Sequence, residues 1–109
     1  MASRIPSSAQ PLATQTLTTT TAGASIDTSK YDYSLFAVEL NFAGGTSSIA
    51  QIEISDDDST YVVDLARVTP ATTGTGVYTH IVSCAKRYFR VKLSTVGGAT
   101  LTAKILPIA

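Results

Sequence analysis

The sequence predicts an all-β fold: an antiparallel β-sandwich, jelly-roll or immunoglobulin-like, of about six to eight strands, preceded by an extended N-terminal arm. The clearest sign is the stretch Ile52 to Leu65, where two runs of alternating apolar and polar residues flank an Asp- and Ser-rich turn. Similar short runs, separated by Gly, Pro, Asp or Ser, recur along the chain. Only 15% of the residues are charged, and the frequent Thr, Val, Ile and Tyr favour sheets over helices.

Six strands are predicted in the second part of the chain: Ser34–Phe42, Ser48–Ser55, Thr60–Ala66, Val77–Cys84, Arg87–Ser94 and Ala99–Leu106. Alternate residues of a strand share a face, so the apolar set of each strand is expected to face the core. These sets are Phe36, Val38, Leu40 and Phe42; Ala50, Ile52 and Ile54; Tyr61, Val63 and Leu65; Phe89, Val91 and Leu93; and Leu101, Ala103 and Ile105. The strand 77–84 is apolar on both faces, which predicts a strand covered on both sides. The connection 68–76 is expected to be the longest and most mobile loop.

The predicted domain organisation is an extended polar arm over residues 1–30 and one sandwich domain over residues 31–109. The arm is rich in Ser, Thr, Ala, Gln and Pro and buries too little apolar surface to order itself. A neighbouring subunit or an exposed sheet edge could hold it. Equally, residues 15–26 could be the first strand of the domain's own sheet. The residues expected to contact a partner are Arg4, Ile5, Pro6, Leu12, Leu17, Ile26, Tyr31 and Tyr33.

The charge balance argues against nucleic acid as a partner. The net charge is zero, whereas phosphate binding depends on an excess of Lys and Arg. No apolar run approaches the roughly 20 residues that span a membrane, so no membrane partner is expected either. All acidic residues lie between Asp27 and Asp64, while six of the eight basic residues lie from Arg67 onward. Such segregation suits head-to-tail contact between copies, unless the two signs interleave across neighbouring strands.

The acidic turn is a weak candidate for a metal site. Asp56, Asp57 and Asp58 supply the carboxylates that calcium prefers. They lack the alternating spacing, the central Gly and the distal Glu of a calcium loop. A solvated hairpin tip is the better interpretation.

Catalytic chemistry is not indicated, and neither an enzyme activity nor a cofactor is predicted. His80 is the single histidine and lies in a predicted strand without a nearby pair of carboxylates. No Gly-flanked elbow presents a nucleophilic Ser. Cys84 is the single cysteine, four residues from His80 in an extended strand, which is too far for direct contact. A buried structural thiol is expected.

Basic and aromatic side chains alternate with core residues in the stretch from Lys86 to Lys92. Such a face can stack on RNA bases. Given the zero net charge, cross-strand pairing of Arg90 or Lys92 with Glu53, Asp64 or the acidic turn is the favoured interpretation.

Three motifs in order resemble those of small β-sandwich structural proteins of tailed bacteriophages and related viruses. They are the turn Ser55 to Tyr61, the strand Arg87 to Lys92 and the Gly-led final strand Gly97 to Ala103. That family often has a Ser-Asn-Asp-Gly type turn followed by an aromatic residue. Here Asp58 stands where Gly is expected and Tyr61 stands where Trp is common. The resemblance covers residues 34–106.

The resemblance implies a non-enzymatic virion component, foremost a capsid decoration or cement protein or a minor head protein. Its arm would bind the major capsid protein or other virion proteins. It would self-associate, with a trimer favoured, and reside in virions assembled in the host cytoplasm. The alternatives are a tail or neck accessory, or a carbohydrate- or receptor-binding module that uses the loop 68–76 and exposed Tyr31, Tyr33 or Tyr78.

Overall fold

The computed structural model describes residues 12–31, 33–83 and 86–108. Its elements are β1 (Ala13–Leu17), β2 (Ile26–Asp27), a 3-10 turn (Thr28–Lys30), β3 (Leu35–Ala43), β4 (Ile49–Ser55), β5 (Val62–Val68), β6 (Gly76–Ser83), β7 (Tyr88–Thr95) and β8 (Thr100–Pro107). They form two antiparallel four-stranded sheets: sheet A in the order β1-β8-β3-β6 and sheet B in the order β2-β7-β4-β5. The predicted all-β fold is confirmed, and the six predicted strands correspond to β3 to β8 within two residues at each end.

The core lies between the inward faces of the two sheets. Phe36 of sheet A and Phe89 of sheet B meet there, with ring centroids 5.6 Å apart. The inward sets predicted for β3, β7 and β8 are all buried, as are Ala50 and Ile52 of β4. Alternation with period two therefore identifies the core correctly wherever a strand pairs regularly on both sides.

Strand β5 departs from the predicted alternation. The inward set predicted for this strand, Tyr61, Val63 and Leu65, is wrong. Val63 lies opposite Glu53 and therefore shares the outer face of sheet B. The Tyr61 ring lies against the Arg90 guanidinium on that same face, and Leu65 is 85% exposed. The register places Gln51 opposite Val68 but Glu53 opposite Val63. Four residues of β5, 64–67, therefore lie opposite one residue of β4, Ile52. This large bulge carries three extra residues and interrupts the period of two after Val63. Asp64 closes it by accepting a hydrogen bond from the Ala66 N–H (3.2 Å).

Strand β6 is an edge strand, not a strand covered on both sides. Tyr78 and Val82 face inward, whereas Val77 is 56% and Ile81 is 42% exposed. Within a single chain the prediction is wrong, because no described strand lies over the outer face of β6. Of the two apolar faces of β6, one therefore packs in the core and the other is exposed.

The first two strands fall within the predicted arm. β1 pairs antiparallel with β8, from Ala13 opposite Ile105 to Leu17 opposite Leu101. β2 pairs with β7 through Ile26 opposite Phe89. The alternative that residues 15–26 form the first strand of the domain's own sheet is therefore right in joining this segment to the sandwich, but the segment forms two short strands, one in each sheet, and not one. Residues 1–11 of the predicted arm lie outside the described residues.

Two Gly-Gly turns pack together at one end of the sandwich. The Thr46 N–H donates to the Gly97 carbonyl (2.9 Å). Gly97 has a φ of +57°, and a Cβ there would lie 2.1 Å from the Thr46 carbonyl oxygen, so only Gly fits. The loop after β5 is held beside them: Thr72 bridges Ser48, and the Thr69 hydroxyl accepts from the Ala50 N–H (3.0 Å). These bonds restrain the loop 68–76, which the sequence predicts to be the most mobile.

The contrast between a buried and a bulged leucine can be tested with one substitution at two positions. Leu101 is fully buried, whereas Leu65 is 85% exposed. Leu101→Ala is expected to lower the free energy of unfolding by about 2–5 kcal/mol, because it leaves a core cavity. Leu65→Ala is expected to change it by less than about 0.5 kcal/mol. Urea denaturation of both variants measures the difference. Similar losses for the two variants would show that Leu65 packs in the core.

Candidate functional site

The acidic turn borders a small cleft. The cleft lies at the end of sheet B and has a volume of about 190 Å³. Its lining combines the inward-facing ends of β4 and β5 with the turn: Ile54, Ser55, Asp56, Asp57, Thr60, Val62 and Lys86. Pockets that hold small organic ligands usually measure about 300–1,000 Å³. The cleft is therefore too small to predict a substrate site.

Each carboxylate of the turn has its own structural partner. Asp57 accepts hydrogen bonds from the N–H groups of Ser59 and Thr60, both 2.9 Å. These bonds stabilise the ionised form, and they hold the pKa of Asp57 below its usual range. Asp56 forms an ion pair with Lys86 (2.9 Å).

Asp58 takes the backbone conformation that favours glycine. Its φ is +61°, in the left-handed region that non-Gly residues adopt at a cost. Its carboxylate accepts a hydrogen bond from the Tyr61 hydroxyl. This bond, followed by one from Ser25, lowers the pKa of Asp58.

The three aspartates are not gathered into a ligand set. Asp57 points into its own turn, Asp56 points to Lys86 and Asp58 points to Tyr61. Within residues 12–31, 33–83 and 86–108, no group of three or more His, Cys, Asp or Glu side chains could hold a metal ion. The carboxylates serve the turn, and they do not form a cation site in this arrangement.

Ion pairs across the strands neutralise the charge segregation of the sequence. Asp27 binds Arg87 through two hydrogen bonds of 3.0 and 2.9 Å, and Lys86 reaches Asp56. Glu53 binds Arg90 (2.8 Å). Each of these pairs joins the acidic part of the chain to the basic part. The two signs therefore interleave within one molecule, as the second of the two sequence interpretations expects.

Arg90 is the centre of a polar cluster on the outer face of sheet B. Its guanidinium lies 3.7 Å from the centroid of the Tyr61 ring, besides binding Glu53. Glu53, only 6% exposed, also accepts a hydrogen bond from Gln51 (2.8 Å). The predicted cross-strand pairing of Arg90 with Glu53 is confirmed. This basic and aromatic surface is occupied by contacts within the chain.

His80 lies on the inward face of β6 without a catalytic neighbourhood. Its Nε2 is buried and has no hydrogen-bond partner. Burial, and next the nearby Arg67, lower the pKa of His80. Arg67 itself is held by Asp64 (2.7 Å) and donates to the Ile81 carbonyl. Cys84 lies outside the described residues.

The residues predicted to contact a partner lie mostly against their own chain. Leu17 and Ile26 belong to the core, and Leu12 packs against it. Tyr31 and Tyr33 both contact the Phe36 ring edge to face, with centroids 6.1 and 6.3 Å apart. Arg4, Ile5 and Pro6 lie outside the described residues. The alternation of polar residues ahead of Leu17 is the signal that could have placed β1 in a sheet.

The outer face of sheet A carries an apolar row that the sequence analysis did not single out. Ala37 lies between Ile81 on one side and Leu106 on the other in the strand register. Two residues further along each strand, the Ile108 N–H donates to the Leu35 carbonyl (3.0 Å). We call Ile81, Ala37, Leu106, Leu35 and Ile108 the apolar row. Its members are half-buried or exposed, and they face away from the core.

Two substitutions of Asp58 separate backbone strain from the loss of the carboxylate. Asp58→Gly and Asp58→Ala both remove the bond from Tyr61, but only Gly accepts a φ of +61° without strain. Asp58→Ala is expected to be less stable than Asp58→Gly by about 1 kcal/mol. Thermal or urea unfolding measures the difference. Equal stability of the two variants would contradict the left-handed conformation at this position.

The ion pair between Asp27 and Arg87 predicts an acid-sensitive contribution to stability. The bond from Arg87, followed by that from Ser29, lowers the pKa of the Asp27 carboxyl well below its ordinary 3.8. A carboxyl with a depressed pKa stabilises the fold above its unfolded pKa, and that stabilisation is lost as the pH falls below about 4. NMR titration of the carboxyl carbon is expected to show a depressed midpoint in the wild type and a higher midpoint in Arg87→Gln, still below 3.8 because the bonds from Ser29 remain.

The matched control is Arg67→Gln, which removes the partner of Asp64 and should leave the Asp27 midpoint unchanged. A wild-type midpoint near 3.8 would show that the ion pair does not persist in solution.

Comparison with known proteins places the chain in no family. No protein-family model, curated protein or solved structure matches it. In the part of the chain that the structure describes, no helix has the length and apolar character needed to cross a membrane.

Proposed function

We propose that this chain is a non-enzymatic virion structural protein of a tailed bacteriophage or related virus, foremost a capsid decoration or cement protein or a minor head protein. The observation that carries the proposal is the contrast between its charged and apolar side chains. Asp27, Glu53, Asp56 and Asp64 are each paired within the chain, whereas Leu65, Val77 and Ile81 are left exposed. Exposed apolar groups favour contacts with other proteins.

The resemblance to virion sandwich proteins gains support from the backbone of two turns. Asp58 stands where that family often has Gly, and its φ of +61° is the conformation that Gly adopts readily. The final strand is led by Gly97 and Gly98, both with positive φ. Asp58, which departs from the family pattern, thus has the backbone conformation of the Gly that it replaces.

The position of the N-terminal segment suits attachment to a shell. Leu12 leaves β1 at an edge of sheet A, where its N–H bonds the Ile105 carbonyl (2.7 Å). Residues 2–11 precede it in the sequence. In the proposed role these residues, with Arg4, Ile5 and Pro6, bind the major capsid protein or another virion protein in particles assembled in the host cytoplasm. Copies on a particle would gain strength through multivalency.

The rival role of a carbohydrate- or receptor-binding module is less well supported. Its candidate tyrosines are engaged inside the sandwich. Tyr78 packs edge to face on Phe42 (5.9 Å), and its hydroxyl contacts that of Thr72 (2.8 Å). Tyr31 and Tyr33 pack on Phe36. A tail or neck accessory uses the same kind of protein contact as a head protein, and localisation on particles separates these two roles.

Deletion of residues 2–11 tests the proposed attachment. A longer deletion to Lys30 would remove β1, β2 and the buried Leu17 and Ile26, so it would confuse binding with folding. The short deletion is expected to keep the thermal midpoint within a few degrees, because it spares both sheets. It should reduce co-sedimentation with particles of the virus that encodes the chain by at least about tenfold.

The control keeps the length of the segment but changes residues 2–11 to Gly and Ser, and it should bind as poorly as the deletion. Full binding by the deletion variant would overturn the role of the segment. Failure of the wild-type chain to bind or appear in particles would overturn the proposed function itself.

A further inference from the structure

On the outer face of sheet A, residues that lie opposite one another on the two central strands, β3 and β8, have matching chemical character. Neighbouring residues of β3 and β8 pair in register as Ala37 with Leu106, Glu39 with Lys104, and Asn41 with Thr102. Leu35 and Ile108 continue the series. Along one direction the face therefore changes from apolar to charged to uncharged polar, and both strands change together.

Glu39 and Lys104 remain available to a second molecule. Neither forms an ion pair with another described residue. The four ion pairs among the described residues engage other acids, namely Asp27, Glu53, Asp56 and Asp64. Lys104 is exposed and Glu39 is half-buried. The face thus presents one acid and one base side by side, next to the apolar row.

We infer that the outer face of sheet A binds the same face of a second copy of this chain, related by a twofold axis parallel to the strands and between β3 and β8. Such an axis lays β3 of one copy over β8 of the other. It sets Ala37 against Leu106 of the second copy, and Glu39 against Lys104 of the second copy. One operation therefore matches apolar with apolar and acid with base, as a self-complementary contact requires.

The size of the face sets the strength of the contact. Four strands about 4.8 Å apart and five to nine residues long cover roughly 500 Å² per copy, or about 1,000 Å² in total. This is the low end for a specific interface, so a dimer with a dissociation constant of about micromolar or weaker is expected. The inference rests on the proposed function for its biological role, and it gives a form to the self-association that the resemblance to virion proteins implies. It replaces the expected trimer by a twofold contact.

Charge reversal tests the contact in purified protein without particles. Glu39→Lys and Lys104→Glu each place two like-charge pairs in the dimer, and each should weaken dimerisation at least about tenfold. An equimolar mixture of the two variants should recover the dimer, because both contacts are then between opposite charges. Mixing cannot restore a pair within one chain, so recovery identifies contact between copies. Sedimentation velocity over a concentration series measures all three samples.

The control is Lys92→Glu, the same charge change on β7 in sheet B, which should leave the dimer unchanged. Thermal melting verifies that every variant is folded; should a reversal unfold the chain, Glu39→Gln and Lys104→Gln replace the pair, with a loss of a few-fold expected. A monomeric or trimeric wild type, single variants that dimerise normally, or a mixture that stays monomeric would overturn the inference. None of these results bears on particle binding by residues 2–11, so the proposed function is tested separately.

Discussion

The contact between Phe36 and Phe89 fixes the orientation of most of the sandwich. The two rings meet between the sheets at 5.6 Å, one from a central strand of sheet A and one from a central strand of sheet B. Side chains alternate between the two faces of a strand. Once these two rings face inward, the faces of all remaining residues on β3 and β7 are therefore determined. The registers with β8 and β4 then carry that decision to the neighbouring strands.

The sequence was sufficient for those strands whose alternation is uninterrupted. The inward residues of β3, β7 and β8 follow from counting by two. Counting fails on β5, because its apolar residues Val63 and Leu65 lie outside the core: Val63 pairs with Glu53 on the outer face, and a bulge of three extra residues follows it. The residue types alone do not indicate either feature. It also fails to identify β1 and β2, where Leu17 and Ile26 are the buried apolar anchors. Those short polar strands depend on their partners β8 and β7, which lie far away in sequence.

Some of the polar contacts were predictable from the sequence, and others depend on which strands pair. Pairing of Arg90 with Glu53 follows once the hairpin and the strand 87–94 are neighbours. The conformation of Asp58 could not be read from its own residue type, since the positive φ depends on how the whole turn closes. The sequence does show that Ala37, Glu39 and Asn41 share a face. Their match to Leu106, Lys104 and Thr102 appears only when β8 is known to pair with β3.

The β5 bulge has a consequence for how this chain meets its own copies at high concentration. An edge strand that is straight offers an unpaired row of N–H and C=O groups, on which further strands can add without limit. The bulge interrupts such a row on the exposed edge of sheet B, and Arg67 also occupies the Ile81 carbonyl on the neighbouring edge of sheet A. Open-ended growth into fibres is thereby discouraged on this side of the molecule, while closed contacts between sheet faces are left unhindered. A protein made in many copies in a crowded cell would benefit from that bias.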